Sequence, residues 1–248
     1  YAQGYFAYSA DKSNSLTRSY LRMSPEPIRA HYTISEADFV GCTLPSYVNQ
    51  YPMVDNLKEG GVFFLNFPRN DIEGLDKYLP AEFKRKLVQK HAKLYVIDAS
   101  KLAMDCGLNG KISTIVQACF YHLTNVLGEH WLPITERWIE KEFGRLGEEV
   151  VRKNKLAAQL ATKHLKKVEI PEYWATAQDK KGQFASKTKL SFMDKPIKEY
   201  PRYKTEVLDA VMKTKGGSLP VSAFKDSLGG ISPLGSTKWL KKGLSSSA

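Results

Sequence analysis

The stretch that most constrains the fold is the short apolar run Gly-Val-Phe-Phe-Leu-Asn at residues 61–66. Its apolar side chains follow one another without the alternation typical of a strand that has one face in water. A glycine opens the run and Asn-Phe-Pro ends it, so it has the length of a strand rather than of a helix. A strand buried on both faces predicts helices on either side of a sheet.

The segments around this run extend the same pattern. Strands are predicted at 38–42 and 93–98, and helices at 79–90 and 99–106. This order predicts an α/β domain with a mostly parallel sheet and helices on both faces. Ligands of such sheets bind at the carboxyl ends of strands, which here carry Thr43, Asn66 and Asp98. Neither a Gly-x-Gly-x-x-Gly nor a Gly-x-x-x-x-Gly-Lys-Ser/Thr motif follows these strands.

A separate pair of strands is predicted in the first 34 residues. Alternating residues indicate strands at 17–22 and 28–34, joined by a turn through Pro25 and Pro27.

A helix is predicted within residues 105–128, because apolar residues recur there with helical spacing. Ahead of it, Gly107 and Gly110 suit a tight turn, and Lys111 and Ser113 lie at the helix start. Unpaired backbone N–H groups at a helix start attract anions. The segment therefore either caps a core helix or also presents polar groups to an anionic ligand.

Two further helices, at 131–143 and 146–165, are predicted to complete a domain that spans residues 1–167. Residues 168–248 are predicted to be an extended C-terminal arm, because Lys, Gln, Ser and Thr dominate much of this region. One helix is predicted inside the arm, at about 206–213. The arm has too few apolar residues for a core of its own, so we expect it to pack on neighbouring domains.

Composition narrows the classes of partner. The net charge of +11 favours a polyanionic partner, yet the basic residues are dispersed and form no recognised nucleic-acid motif, so no nucleic-acid partner is predicted. The three cysteines, widely spaced, suit a reducing, cytoplasmic location and predict no metal site. No apolar run is long enough for a membrane span. The chain starts at Tyr1 rather than Met, which indicates processing or a piece of a longer polypeptide.

Several segments occur in the order found in one enzyme family. They are residues 11–13 with 17–22, 27–29, 37–40, 45–49, 57–61 with 65–66, 107–117, and 219–224. Together they resemble the gamma region of the 2-oxoacid:ferredoxin oxidoreductases, most closely that of the pyruvate:ferredoxin (flavodoxin) oxidoreductases.

The resemblance implies a thiamine-dependent oxidoreductase that converts a 2-oxoacid, pyruvate first among them, to acyl-CoA and passes electrons to ferredoxin or flavodoxin. In that family this domain covers the active site and helps to bind coenzyme A. Thiamine pyrophosphate with Mg and the iron–sulfur clusters are held by other domains, in an enzyme that is usually a homodimer. The resemblance assigns no catalytic residue to this chain.

Four residues match the family's coenzyme A positions. Arg22, Arg29 and Lys58 are the residues that the resemblance implies for the phosphates, and Asn154 is implied as a further polar contact. The charges agree with this role, because coenzyme A carries several phosphate charges and charge-assisted hydrogen bonds are strong.

The chain also departs from the family pattern. Lys111 replaces an arginine, Ser113 replaces an asparagine, and 240–243 lack a carboxylate residue. Lysine cannot reproduce the bidentate contacts of arginine. A second hypothesis follows, in which the domain is a structural or interaction module inside a flavin-containing redox enzyme.

Overall fold

The computed structural model describes residues 1–8, 17–179 and 202–225. Its contacts divide the chain into two units. One contains residues 1–34 together with 202–225, and the other contains residues 35–179. The predicted division of the chain at residue 167 remains a prediction.

The first unit contains a two-stranded antiparallel sheet of β1, Ala2–Tyr8, and β2, Thr17–Met23. The prediction of β2 is confirmed, but the prediction of its partner at 28–34 is wrong. Residues 30–34 bond through their backbone to side chains of the sheet, which takes the place of a strand ladder. The helix predicted near 206–213 is present as a turn of π-helix, Tyr203–Leu208, continued by Asp209–Met212.

The second unit is the predicted α/β domain. Its sheet has the strand order β3, β4, β5, β6, with Ala37–Cys42, Leu57–Asn66, Lys93–Ile97 and Lys166–Val168 as their bounds. The first three strands are parallel and β6 is antiparallel to β5. A mostly parallel sheet is therefore confirmed, with one short edge strand that periodicity did not predict.

Helices cover both faces of this sheet. The helices α1, Ile72–Tyr78, and α2, Ala81–Gln89, connect β4 to β5. Between β5 and β6 the chain forms α3, Ala99–Asp105, α4, Ser113–Thr124, α5, Trp131–Phe143, and α6, Glu148–His164. The α5 bounds agree with those predicted, whereas α1 was not predicted.

Alternate side chains of β4 supply two separate cores. Phe63 and Leu65 pack with residues of α1, α2 and the β3–β4 connection, and Phe64 packs with residues of α3 to α6. The β3–β4 and β4–β5 connections both step along the sheet in the same direction. Because crossovers between parallel strands share one handedness, both connections lie on the same face of the sheet. The continuous apolar run at 61–66 thus has the cause inferred from the sequence, since its side chains are buried on both faces.

Candidate functional site

The first unit contains a pocket of about 340 Å³ between its sheet and the segment that follows β2. The sheet contributes Gln3, Tyr5 and Arg22, and the segment contributes residues 30–33. Arg22 lines this pocket, and it is one of the four residues implied for coenzyme A.

The register of the sheet brings the pocket side chains to one face. Gln3 lies opposite Arg22, and Tyr5 lies opposite Tyr20, with the two tyrosine rings stacked at 4.6 Å between centroids. Because side chains alternate between the faces of a strand, these four residues share a face. They are half-buried, whereas Leu21 on the other face is exposed.

Two hydrogen bonds and one ring contact hold the Arg22 guanidinium. Its Nη1 donates to Gln3 Oε1 at 2.8 Å, and its Nη2 donates to the Tyr32 carbonyl oxygen at 2.7 Å. The guanidinium carbon also lies 5.0 Å from the centre of the Tyr32 ring. A guanidinium carries more N–H donors than these two bonds use, so Arg22 can still donate to an anion.

The pocket wall at residues 30–34 is attached to the sheet by side chains. Besides the Arg22 bond to Tyr32, Gln3 Nε2 donates to the Ala30 carbonyl oxygen at 2.8 Å. The backbone N–H of Ile34 donates to Tyr5 Oη at 2.7 Å. Three sheet residues therefore fix the position of a segment that has no regular secondary structure.

The other implied basic residues have different surroundings. Arg29 is exposed and directly precedes the pocket residue Ala30. Lys58 belongs to the second unit, at the amino end of β4, where its Nζ lies 2.8 Å from Asp38 Oδ1. Both side chains of that pair are exposed, so water screens their attraction. The positive charge of Lys58 is nevertheless partly balanced by Asp38.

Asn154 is buried within the second unit, with 6% of its surface exposed. Its Oδ1 accepts a hydrogen bond from Thr114 Oγ1 at 2.7 Å, and its Nδ2 donates to the Val150 carbonyl oxygen at 2.9 Å. Its amide joins α6 to the start of α4. Lys111 and Ser113, the polar residues of that helix start, are exposed.

The carboxyl edge of the parallel sheet uses its polar groups for internal bonds. Asn66 Nδ2 donates to the Thr43 carbonyl oxygen, and Asn66 Oδ1 accepts from the backbone N–H of Ala99, both at 3.0 Å. Asp98 Oδ1 accepts from the N–H of Lys101 and caps α3. These bonds tie the ends of β3 and β4 to the first turn of α3.

The cysteine thiols lie inside the second unit. Burial raises the pKa of the Cys42 and Cys119 thiols to about 12, which keeps both protonated and unreactive at neutral pH. Cys119 occupies the core face of α4. Within residues 1–8, 17–179 and 202–225, no three His, Cys, Asp or Glu side chains form a group that could hold a metal ion. No helix in the same ranges has the length and apolarity to cross a bilayer.

Of the seven pocket residues, only Arg22 was predicted from the sequence as a site residue. The pocket side chains that bond to or contact others, Gln3, Tyr5 and Tyr32, were not predicted, and Gln3 and Tyr5 come first in the chain. The signal that could have found the first two is the alternation of residues 2–8, Ala-Gln-Gly-Tyr-Phe-Ala-Tyr, which is compatible with a strand. Tyr32 belongs to a segment that was wrongly predicted as a strand, so its role as a pocket wall could not be inferred.

Comparison with known proteins identifies the family. A family model described as pyruvate ferredoxin/flavodoxin oxidoreductase matches residues 1–164. The chain belongs to this family. The resemblance inferred from the co-linear segments is thereby confirmed, and the family model covers both the pocket of the first unit and most of the α/β domain.

Relatives of this oxidoreductase family match nearly the whole chain. The pyruvate:ferredoxin oxidoreductase of Moorella thermoacetica is 36% identical over 98% of this chain and 20% of its own length. A pyruvate dehydrogenase [NADP(+)] of Cryptosporidium parvum is 32% identical over 99% of this chain and 13% of its own length. The chain thus spans about a fifth, or less, of these relatives.

A solved structure supports the fold. The pyruvate oxidoreductase subunit PORC of Thermotoga maritima superposes with a TM-score of 0.53 and 23% sequence identity. The match covers 68% of this chain and 82% of that subunit. At this identity the likeness establishes a shared fold.

Proposed function

We propose that this chain is the coenzyme A-contacting part of a thiamine-dependent pyruvate oxidoreductase that forms acyl-CoA and reduces ferredoxin or flavodoxin. Family membership and the names of the relatives support the reaction class. The single observation that carries the role of this chain is the Arg22 guanidinium, held by two hydrogen bonds at the wall of a pocket.

We propose that this chain binds coenzyme A and supplies no residue that makes or breaks a covalent bond. Arg22 would donate N–H bonds to a phosphate oxygen of coenzyme A, and Arg29 and Lys58 would add positive charge. Asn154 would add a polar contact through the second N–H of its Nδ2 or the second lone pair of its Oδ1, because its internal bonds use one of each. Thiamine pyrophosphate with Mg and the iron–sulfur clusters would be held elsewhere in the parent enzyme, where they supply the decarboxylation and electron-transfer chemistry.

The proposal extends to the assembly. We propose that the parent enzyme is a cytoplasmic homodimer and that part of the C-terminal arm predicted at 168–248 packs on its other domains. Mass measurement of the purified parent enzyme in solution would test the dimer.

Substitution of Arg22 in the complete enzyme tests the site. Arg22→Ala should raise the KM for coenzyme A about tenfold, because a charge-assisted bond to phosphate is lost. Arg18→Ala is the matched control, since Arg18 is another arginine of β2 and bonds to Thr214 at 3.1 Å instead of lining the pocket. An unchanged KM in Arg22→Ala, or an equal rise in both variants, would remove the proposed site.

A second candidate function has one observation in its favour. The Cryptosporidium parvum relative is named for NADP(+) and is longer, because the matching region is only 13% of it. The chain could thus be a structural or interaction module of a flavin-containing redox enzyme. Two measurements on the complete enzyme would separate the two functions. Activity with NADP(+) rather than with ferredoxin or flavodoxin as electron acceptor would favour the second function. Coenzyme A binding that is unchanged by Arg22→Ala would also favour it.

A further inference from the structure

We propose that Gln3 is a positioning residue for coenzyme A: it orients the Arg22 guanidinium and fixes the pocket wall at Ala30. The inference rests on the proposed function, since it concerns how the same pocket presents its arginine. Neither the family resemblance nor the comparisons assign a role to Gln3.

Both ends of the Gln3 amide are used. Its Oε1 accepts from Arg22 Nη1 at 2.8 Å, and its Nε2 donates to the Ala30 carbonyl oxygen at 2.8 Å. This side chain therefore links β2 to the pocket wall from a position on β1. A long arginine side chain loses rotamer freedom when it binds, and an arginine that is already oriented loses less.

The neutral charge of Gln3 matters as much as its geometry. An acidic residue at this position would also accept from Arg22, but it would offset the positive charge that a phosphate needs. Lys58 shows the contrasting arrangement, because its ammonium pairs with the Asp38 carboxylate. Gln3 holds the guanidinium without neutralising it, which leaves the full charge available to an anion.

The test is a double-mutant cycle on coenzyme A binding to the complete enzyme, with the dissociation constant measured by titration calorimetry. Gln3→Met removes both hydrogen bonds at similar side-chain length and should weaken binding about fivefold. In an Arg22→Ala background the same substitution should weaken binding clearly less, because only the bond from Gln3 to the Ala30 wall is then left to lose. The kcat at saturating coenzyme A should not change.

Two further variants secure the result. Gln159→Met is the control, since Gln159 makes a comparable amide bond to Glu136 in the α/β domain; it should leave coenzyme A binding unchanged. Gln3→Asn keeps the amide but shortens the side chain, and it replaces Gln3→Met if that variant does not fold.

The outcomes separate this inference from the proposed function. If Arg22→Ala weakens binding but the Gln3 variants do not, the positioning role is overturned alone. If the Gln3 and Arg22 losses add, Gln3 supports the pocket without acting through Arg22, and the inference is again overturned. If Arg22→Ala itself leaves binding unchanged, the proposed function fails and this inference fails with it.

Discussion

The Thr114 hydroxyl donates a 2.7 Å hydrogen bond to Asn154 Oδ1 and so joins the first turn of α4 to α6. Both residues are buried, with 1% and 6% of their surfaces exposed. Ala157 and Ala161, which follow Asn154 on α6, are fully buried. Their small side chains let α6 pack closely against the other helices of this core. The polar bond therefore lies within a tightly packed group of helices, where an unpaired donor or acceptor is costly.

Breaking this bond should loosen α4 and α6. Asn154→Leu leaves the buried Thr114 hydroxyl without its acceptor, and we expect a loss of about 1–3 kcal/mol in local stability. Adding Thr114→Val should recover part of that loss, because both polar partners are then replaced by apolar groups. Amide hydrogen exchange of α4 and α6 in the complete enzyme measures the effect. Losses that simply add would contradict the coupling.

The same two variants test the proposed contact of Asn154 with coenzyme A. Thr114→Val breaks the internal bond but leaves the asparagine in place, so it is the matched control for the structural effect. If Asn154 contacts coenzyme A, Asn154→Leu should raise the KM several-fold more than Thr114→Val, by about the worth of one hydrogen bond. Equal KM values in the two variants would confine Asn154 to its structural bond.

Removing the carboxylate beside Lys58 should reveal whether this lysine attracts phosphate. Asp38→Asn keeps the size of the side chain but removes the charge that partly balances Lys58. We expect coenzyme A affinity to rise about twofold in Asp38→Asn and to fall in Lys58→Ala, with both effects shrinking at high salt. Titration calorimetry at low and high ionic strength is the measurement. A fall in affinity in Asp38→Asn with a rise in Lys58→Ala, or no change in either variant, would exclude Lys58 from the site.

Sequence periodicity predicted those elements whose pattern is long or continuous. The apolar run of β4 and the amphipathic α5 were placed correctly, because burial on two faces or on one helical stripe leaves a repeating signal. The elements β1, β6 and α1 were missed. The three residues of β6 are Lys-Lys-Val, and lysine at an edge strand opposes unwanted pairing rather than marking a strand.

The site could be predicted only in part, because its bonds depend on register. Arg22 was found through the family resemblance, yet its partner Gln3 is 19 residues away and meets it only when β1 pairs with β2. Asn66 was predicted at the carboxyl edge as a ligand-facing residue. Its bonds to Thr43 and Ala99 give it a structural role there, which periodicity cannot show because it depends on which strand ends and helix start meet in the folded sheet.

Lys84 of α2 has a buried ammonium whose counter-charge, the partly exposed Asp76, allows a prediction. Its Nζ lies 3.0 Å from Asp76 Oδ1 and 5.9 Å from the centre of the buried Trp174 ring. Lys84→Met should change stability by less than about 1 kcal/mol, because a hydrophobic side chain of similar length can fill the site. Asp76→Ala should cost about 1–3 kcal/mol, since it leaves a buried ammonium without its counter-charge.

Hydrogen exchange of α2 and residues 172–176 in the complete enzyme would measure this asymmetry. Glu73→Ala is the control, because Glu73 pairs with Lys77 on the exposed surface of α1 and should matter little. A larger loss in Lys84→Met than in Asp76→Ala would contradict the prediction.

The buried thiols give a prediction that depends on pH. A pKa of about 12, against an ordinary value of 9.0, leaves Cys42 and Cys119 with a thiolate fraction about a thousandfold below that of a free thiol at pH 8. Iodoacetamide at pH 8 should therefore leave both unmodified in the native enzyme and modify them in denaturant, as read by peptide mass spectrometry. Cys106 is the internal comparator, with 5% of its surface exposed, and should react faster.

Because the folded-state pKa of these thiols is raised, they favour the folded state fully below pH 9, and this contribution is lost as the pH rises from about 9 to about 12. In that interval the thiols of the unfolded chain ionise while those of the folded chain stay protonated. Cys42→Ala or Cys119→Ser would lessen the loss of stability at alkaline pH, although each lowers stability at neutral pH by altering a packed core. Rapid alkylation of Cys42 or Cys119 in the native enzyme at pH 8 would show that their burial is not maintained.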